Sequence, residues 1–135
     1  SDLYLDTNTC IYFLNGKYES IKTKILETPS NDIFIPSIVK AELLLGAYKS
    51  NSRKGTIDKV ERFLEPFEII SFTDQMTYIY AEIRSQLEKS GKVIGPNDLL
   101  IASIVHYYNG ILITNNTEEF KRIKNLRIEN WVKYA

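Results

Sequence analysis

Three acidic residues stand in strongly apolar stretches of the chain. Asp6 directly follows the apolar run LYL. Glu42 has one other charged residue in the segment SIVKAELLLGA, and Asp98 is the only charge in GPNDLLIASIV. An isolated charge is very costly to bury on such segments. Each of these carboxylates therefore needs a partner.

A hard divalent metal ion is the partner that suits converging carboxylates. Carboxylate oxygens bind Mg²⁺, which usually retains several waters, and Mn²⁺ can replace it. The chain has one His and one Cys, so it lacks the ligand cluster of a zinc site. A metal ion held by acids suits phosphodiester hydrolysis, because it lowers the pKa of a water and stabilises charge on phosphate oxygens. The acids Asp6, Glu42 and Asp98 thus predict a metal-assisted hydrolase.

Short apolar strands that alternate with helices must position these acids. Sequence patterns predict strands over 3–5, 33–36, 67–72 and 111–114, with an edge strand over 126–131. They predict helices over 8–14, 18–27, 37–50, 56–64, 73–90, 98–108 and 117–122. This alternation indicates an α/β fold with a mostly parallel sheet.

The carboxyl ends of the predicted strands are the expected place for a ligand site. Asp6 lies there after the first strand, and Asn115 and Asn116 lie there after the fourth. Thr7 or Asn8 is expected to cap the first helix.

Length, charge and cysteine content narrow the class of protein. The 135 residues fit a single domain, 1–135. Lys plus Arg and Asp plus Glu both number 17, which excludes a grossly basic binder and still allows a local basic patch. Cys10 has no partner for an internal disulfide, so a reducing cytoplasm is the expected compartment. No apolar run is long enough to span a bilayer.

Four motifs, in order along the chain, resemble the PIN-domain family and, within it, the VapC toxins of bacterial toxin–antitoxin pairs. They are LDTNTCIYFLNG, PSIVKAELLLGA, GPNDLLIASIV and LITNNTEEFKRIKNLRIENW. The resemblance implies a three-layer α/β/α fold and a Mg²⁺- or Mn²⁺-dependent endoribonuclease. It also implies a homodimer that is neutralised by a cognate VapB-like antitoxin. The NNT and RIENW segments are most similar to toxins that cut tRNA in the anticodon loop.

The resemblance also assigns roles to individual residues. Asp6 and Asp98 resemble the core metal ligands, and Glu42 resembles the third acid. The fourth motif departs from the family pattern, because Asn116 stands where many PIN domains have an aspartate. Glu119 is the candidate for the missing carboxylate and completes the catalytic set, and one Mg²⁺ rather than two is expected. The residues expected to support these acids are Thr7, Asn8, Thr114 and Asn116.

Each of these residues also has a purely structural interpretation. Asp6 and Asp98 could simply cap the helices that follow them, since Asp is among the best capping residues. Glu42 could belong to a buried ion pair with a distant Lys or Arg. Asn116 could be a turn residue, because Asn suits turns and left-handed backbone.

Two other functions compete with the nuclease. A phosphatase of the haloacid-dehalogenase type also places an aspartate after its first strand, but its chemistry normally uses a second one where this chain has Asn8. A non-catalytic module that binds RNA or protein on the same fold would need acids that hold no metal.

An apolar groove beside the acids is a further expectation. The amphipathic segments 8–27 and 37–64 could leave such a groove, which would suit a helix of a protein partner. The partner would then block the site with a basic side chain.

Overall fold

One parallel sheet forms the centre of the protein. The computed structural model describes residues 2–134. Within that range the strands are β1 (Leu3–Leu5), β2 (Ile33–Pro36), β3 (Glu68–Ile70), β4 (Ile111–Ile113) and β5 (Arg127–Glu129). They are ordered β3-β2-β1-β4-β5, and every pairing is parallel. The predicted parallel sheet is confirmed, and β5 is its edge strand.

Helices connect the strands and cover the sheet. They are α1 (Thr7–Asn15), α2 (Glu19–Glu27), α3 (Ser37–Tyr48), α4 (Arg53–Leu64), α5 (Met76–Lys89), α6 (Pro96–Tyr107) and α7 (Thr117–Phe120). A 3₁₀ turn, Ser30–Asp32, precedes β2. Connections run from β1 towards β3 on one side and from β4 to β5 on the other. Right-handed crossovers that travel in opposite directions place helices on opposite faces, which gives the three expected layers.

The core lies on both faces of the central strands. The side chains of Leu5, Ile35, Leu112 and Ile113 are fully buried. Such near-continuous burial is typical of a parallel sheet covered by helices on both sides. The sheet edge that follows these strands is therefore rigid, and polar groups placed there are held firmly.

Several helix boundaries differ from the predicted ones for local reasons. Helix α4 begins at Arg53, because the Thr56 N–H donates to Ser52 O at 2.9 Å and the polar break becomes its first turn. Helix α6 begins at Pro96, since proline is favoured at the first helical position. Helix α5 begins only at Met76, which closes a turn by donating its N–H to Thr73 O at 3.0 Å.

The ends of α1 set the geometry of the first acid. Gly16 ends this helix in the left-handed region at φ 64°, as the Asn15-Gly16 pair predicts.

None of the helices described in residues 2–134 is both long and apolar enough to cross a membrane.

Candidate active site

The candidate site lies where the strand order reverses. Strand β1 has β2 on one side and β4 on the other, and such a switch point leaves a crevice at the carboxyl ends of the strands. Asp6 follows β1 and donates its N–H to Ile113 O at 3.1 Å. Thr114 follows β4 and is fully buried. These two residues form the floor of the site.

Asp6 both caps α1 and carries a buried carboxylate. Its Oδ1 accepts the Thr9 N–H at 2.9 Å, and its side chain is 5% exposed. The expectation that Thr7 or Asn8 caps this helix is wrong, because the Asp6 carboxylate reaches the free N–H first. Burial raises the pKa of Asp6, hydrogen bonds from Thr114 and Thr9 lower it, and the charge of Glu42 raises it further.

Glu42 is held by neutral donors on two other helices. The Thr7 hydroxyl donates to Oε1, and Asn97 Nδ2 donates to Oε2 at 3.2 Å. In the part of the chain that is described, no Lys, Arg or His forms an ion pair with Glu42. The structure therefore does not support the interpretation of Glu42 as half of a buried ion pair. Thr7, which was expected to support Asp6, instead donates a hydrogen bond to Glu42.

The negative charges of all three other acids in the predicted set affect the pKa of Asp98. It is the third residue of α6 and is half-buried. Burial raises the pKa of Asp98 to about 6, and the charges of Glu119, Asp6 and Glu42 add to this rise in that order. Helix α7 therefore brings Glu119 close to Asp98. Glu118, its neighbour in sequence, instead points to solvent and pairs with Lys121 at 3.0 Å.

The remaining predicted supporting residues divide into two groups. Thr114 takes part directly, because it bonds to Asp6 and its Oγ1 accepts the Asn116 N–H at 2.9 Å. Asn116 is the N-cap residue of α7, and its side chain makes no capping bond. Asn8 is exposed on α1, and no hydrogen bond from its side chain occurs among residues 2–134.

The site also uses two residues that the sequence patterns did not identify. Thr9 is buried at the base of α1, where its hydroxyl donates to Ile113 O at 3.2 Å and ties α1 to β4. Asn97 holds Glu42 from α6. Its position directly before Asp98 in the GPND segment is the signal that could have pointed to it.

The donor set is of the kind that suits a hard divalent ion. All four acids offer oxygen ligands. Burial raises the pKa of Asp98 and the charges of the other three acids raise it further, so a cation among them would be stabilised. As the side chains stand, no three or more His, Cys, Asp or Glu residues within the described range are grouped closely enough to chelate an ion. The hydrogen bonds of Glu42 account for this, because Thr7 and Asn97 occupy both of its carboxylate oxygens and keep the side chain from turning towards the other acids.

An apolar groove adjoins the acids, as predicted. It encloses about 250 Å³ between α1, α3 and α4. Ile11, Leu14, Leu43 and Val60 line it, and Glu42 stands at its wall. Glu42 is thus the member of the acid set that borders this groove.

The comparisons with known proteins decide the family. A model of the PIN domain matches residues 3–126. This chain belongs to the PIN-domain family. The chain is 46% identical over 130 residues to Ribonuclease VapC2 from Rickettsia felis, and the alignment covers 96% of this chain and 97% of that protein. It is 35% identical over 127 residues to the tRNA(fMet)-specific endonuclease VapC from Salmonella typhimurium, covering 94% and 96%.

A solved structure agrees with this assignment. VapBC2 from Rickettsia felis, crystallised with a DNA fragment from its promoter, contains a chain that superposes with a TM-score of 0.91 at 43% identity. The superposition covers 97% of this PIN domain and 99% of that chain. The PIN domain is thus a VapC-type ribonuclease by sequence and fold, and the phosphatase alternative is excluded because it belongs to another family.

Proposed function

We propose that this protein is a Mg²⁺- or Mn²⁺-dependent endoribonuclease toxin that cuts structured RNA, with tRNA as its substrate. The observation that carries the proposal is the geometry of the sheet edge, where the Asp6 carboxylate is fixed at the end of β1 and Asn97, next to Asp98, donates a hydrogen bond to Glu42. Burial raises the pKa of Asp98, and the charges of Glu119, Asp6 and Glu42 raise it further, which is consistent with acids in proximity. The name of the Salmonella typhimurium relative supports tRNA as the substrate class.

Asp6, Glu42 and Asp98 would hold the ion, and Glu119 completes the acid set. When bound, the ion lowers the pKa of a water and stabilises negative charge on the phosphate. Asp6 is fixed for this role by the Thr9 N–H at 2.9 Å. Glu42 would have to turn from its present hydrogen bonds towards the other acids or reach the ion through a water.

The residues around the acids act as positioning groups. The Thr7 hydroxyl and Asn97 amide set the place of the Glu42 carboxylate. Thr114 joins Asp6 to the end of β4, so the two strands carry one rigid unit. Hydrogen bonds of this kind around metal ligands typically account for 10- to 100-fold in metal affinity or activity.

Cleavage of total tRNA by the purified protein tests the proposal. Wild type with Mg²⁺ or Mn²⁺ is expected to give discrete fragments, and a chelator is expected to abolish them. Asp6→Asn and Asp98→Asn should each lose cleavage while remaining folded by circular dichroism. Intact RNA with both metals, together with no heat of Mg²⁺ binding by calorimetry, would favour a non-catalytic binding module instead.

A VapB-like antitoxin is the proposed protein partner, and the apolar groove beside Glu42 is its proposed seat. An amphipathic helix would fill the groove, and a basic side chain beyond it would reach the acids. Because this side chain and the divalent ion need the same carboxylates, each should weaken binding of the other by the same factor. Antitoxin titrations with and without Mg²⁺ measure that factor, and equal affinities would contradict shared use of the site.

A homodimer is the proposed assembly, and sedimentation of the purified toxin tests it. A single species of twice the chain mass is expected. A species of one chain mass that still cleaves RNA would separate activity from dimerisation.

A further inference from the structure

A second and larger groove lies near the carboxyl edge of the sheet, away from the apolar groove beside Glu42. It encloses about 910 Å³ between α2 and the segment that follows β5. The aromatic and basic residues that line it are Lys17, Tyr18, Lys24, Trp131, Lys133 and Tyr134. We infer that this groove binds a single-stranded stretch of the substrate RNA beside the bond that is cut. The inference rests on the proposed nuclease function.

The walls of the groove are fixed by hydrogen bonds. Ser20 on α2 donates its hydroxyl to Trp131 O at 2.7 Å and accepts the Lys133 N–H at 3.0 Å. Asn130 Oδ1 accepts the Val132 N–H at 2.9 Å. These bonds hold the last segment of the chain against α2, so the groove exists before any ligand arrives. A preformed groove lowers the cost of ordering the site on binding.

One lining residue, Asn130, connects the groove to the sheet edge that carries the acids. Asn130 follows β5 and donates from Nδ2 to Asn115 Oδ1 at 3.0 Å, and Asn115 directly follows Thr114. Neighbouring strands are about 4.8 Å apart. Asn130 therefore lies two strands, or about 10 Å, from Asp6. That distance corresponds to about two or three nucleotides of a stacked strand.

Aromatic faces in the groove suit unpaired bases. Tyr134 is 79% exposed and meets Tyr18 edge to face, with ring centroids 5.7 Å apart. Lys17 Nζ lies 5.2 Å from the ring centroid of Tyr12 and 5.3 Å from that of Tyr18. Stacking on such rings and contact of lysines with phosphates is how proteins hold single-stranded RNA. Trp131 itself is buried beneath this groove, so the exposed stacking face is that of Tyr134.

The charge of the groove is balanced, which predicts how it binds. The residues that line the groove include three lysines, at 17, 24 and 133, and three glutamates, at 19, 27 and 129. Stacking should therefore dominate over phosphate attraction. Each lysine–phosphate contact would add only about 0.7 to the slope of log affinity against log salt. A protein segment could also use a neutral aromatic groove, but the route to the acids favours the substrate itself.

Tyr134→Ala is the first test, with Tyr78→Ala as its matched control. Both side chains are largely exposed, at 79% and 74%, so neither substitution should disturb folding, and Tyr78 lies on α5 outside the groove. Loss of one stacking face should raise the KM for tRNA cleavage about tenfold and leave kcat unchanged. The control should behave as wild type.

Charge reversal gives a second, independent comparison. The double variant Lys17→Glu with Lys133→Glu should raise KM, while Lys49→Glu with Lys54→Glu, at exposed positions outside the groove, should not.

Trp131 is the only tryptophan of the chain, so its fluorescence reports binding of a short oligouridine in the presence of a chelator, without cleavage. We expect a saturable change in wild type that Tyr134→Ala weakens.

The outcomes separate this inference from the proposed function. If wild type cleaves tRNA while the groove and control variants behave alike, the inference is overturned and the nuclease stands. If wild type cleaves nothing, the nuclease proposal fails, and the oligouridine titration still tests the groove. If Tyr134→Ala instead halves the sedimenting mass, the groove is an interface between two copies, and the inference is overturned.

Discussion

At the scale of single residues, the clustering of acids lowers the stability of the folded protein at neutral pH. Asp98 has a pKa of about 6 in the folded protein against an ordinary value of 3.8, mainly because it is buried and then because Glu119 is near. Between these two pH values the folded state binds more protons than the unfolded chain. The free energy of unfolding therefore falls as the pH rises through this window, and it stays lower above it.

Asp98→Asn should consequently stabilise the protein at neutral pH when no divalent ion is present. The side chain is half-buried, so solvent screening reduces the effect to about 1 kcal/mol at pH 7, with almost none at pH 4. Urea unfolding in a chelator at both pH values measures this difference. Asp58→Asn, at an exposed position on α4, is the control. An equal gain at both pH values would contradict an electrostatic origin.

Asn97 offers a second test at this scale, because its side-chain amide donates a hydrogen bond to Glu42. Asn97→Ala should remove one of the two hydrogen bonds that place Glu42. We expect the rate of tRNA cleavage to fall about tenfold with little change in stability. Asn8→Ala is a matched control, since Asn8 is also exposed near the start of a helix. Equal activity of the two variants would show that Glu42 needs no such support.

At the scale of elements, the first helix and the first acid share one residue. The Asp6 carboxylate caps α1 with one oxygen and faces the other acids at the same time. Asn caps helices about as well as Asp, whereas Ala in that position typically costs about 1 kcal/mol. The capping interpretation and the metal-ligand interpretation are therefore compatible.

Substitution at Asp6 should separate these two roles. Asp6→Asn should keep the stability of the wild type or exceed it, because a neutral amide avoids the cost of burying a charge. Asp6→Ala should lose about 1 kcal/mol through the missing cap. Both should lose cleavage. Thermal unfolding beside the tRNA assay checks both statements, and a cleaving Asp6→Asn would remove Asp6 from the metal site.

Local patterns predicted the elements well, because the signals are themselves local. Apolar runs placed the strands, and the pair Asn15-Gly16 ended α1 where a left-handed residue is needed. Boundaries shifted where a backbone hydrogen bond extended a helix, as at Ser52. Thr7 and Asn8 were also expected as caps of α1, and the sequence alone did not decide between them and Asp6, because Asp6 lies at the end of a strand as well as at the start of a helix.

At the scale of the whole molecule, contacts between distant segments form features that local sequence patterns could not predict. The bond between Ser20 and Trp131 joins residues 111 positions apart and builds the larger groove. No local pattern indicates that α2 and the last segment meet. The acids, by contrast, were predictable as a group, because parallel strands bring their carboxyl ends to one edge.

The apolar groove between α1, α3 and α4, the proposed seat of the antitoxin, gives a prediction that involves the whole complex. Gly46 lies in its wall on α3, and a Cβ there would meet no atom within 4 Å. Gly46→Leu should fill the groove, and it should not destabilise the toxin, because glycine inside a helix costs roughly 0.5–1 kcal/mol relative to alanine. Cleavage of tRNA should therefore be retained.

Inhibition of this variant by its antitoxin should require at least about tenfold more antitoxin, since the helix that fills the groove would clash with the new side chain. Gly55→Leu is the matched control, because Gly55 lies on α4 outside the groove and also has free space around it. Titration of cleavage with purified antitoxin measures the shift. Unchanged inhibition of Gly46→Leu would mean that the antitoxin reaches the acids by another path, and the basic side chain that blocks them would then have to come from a different face of the site.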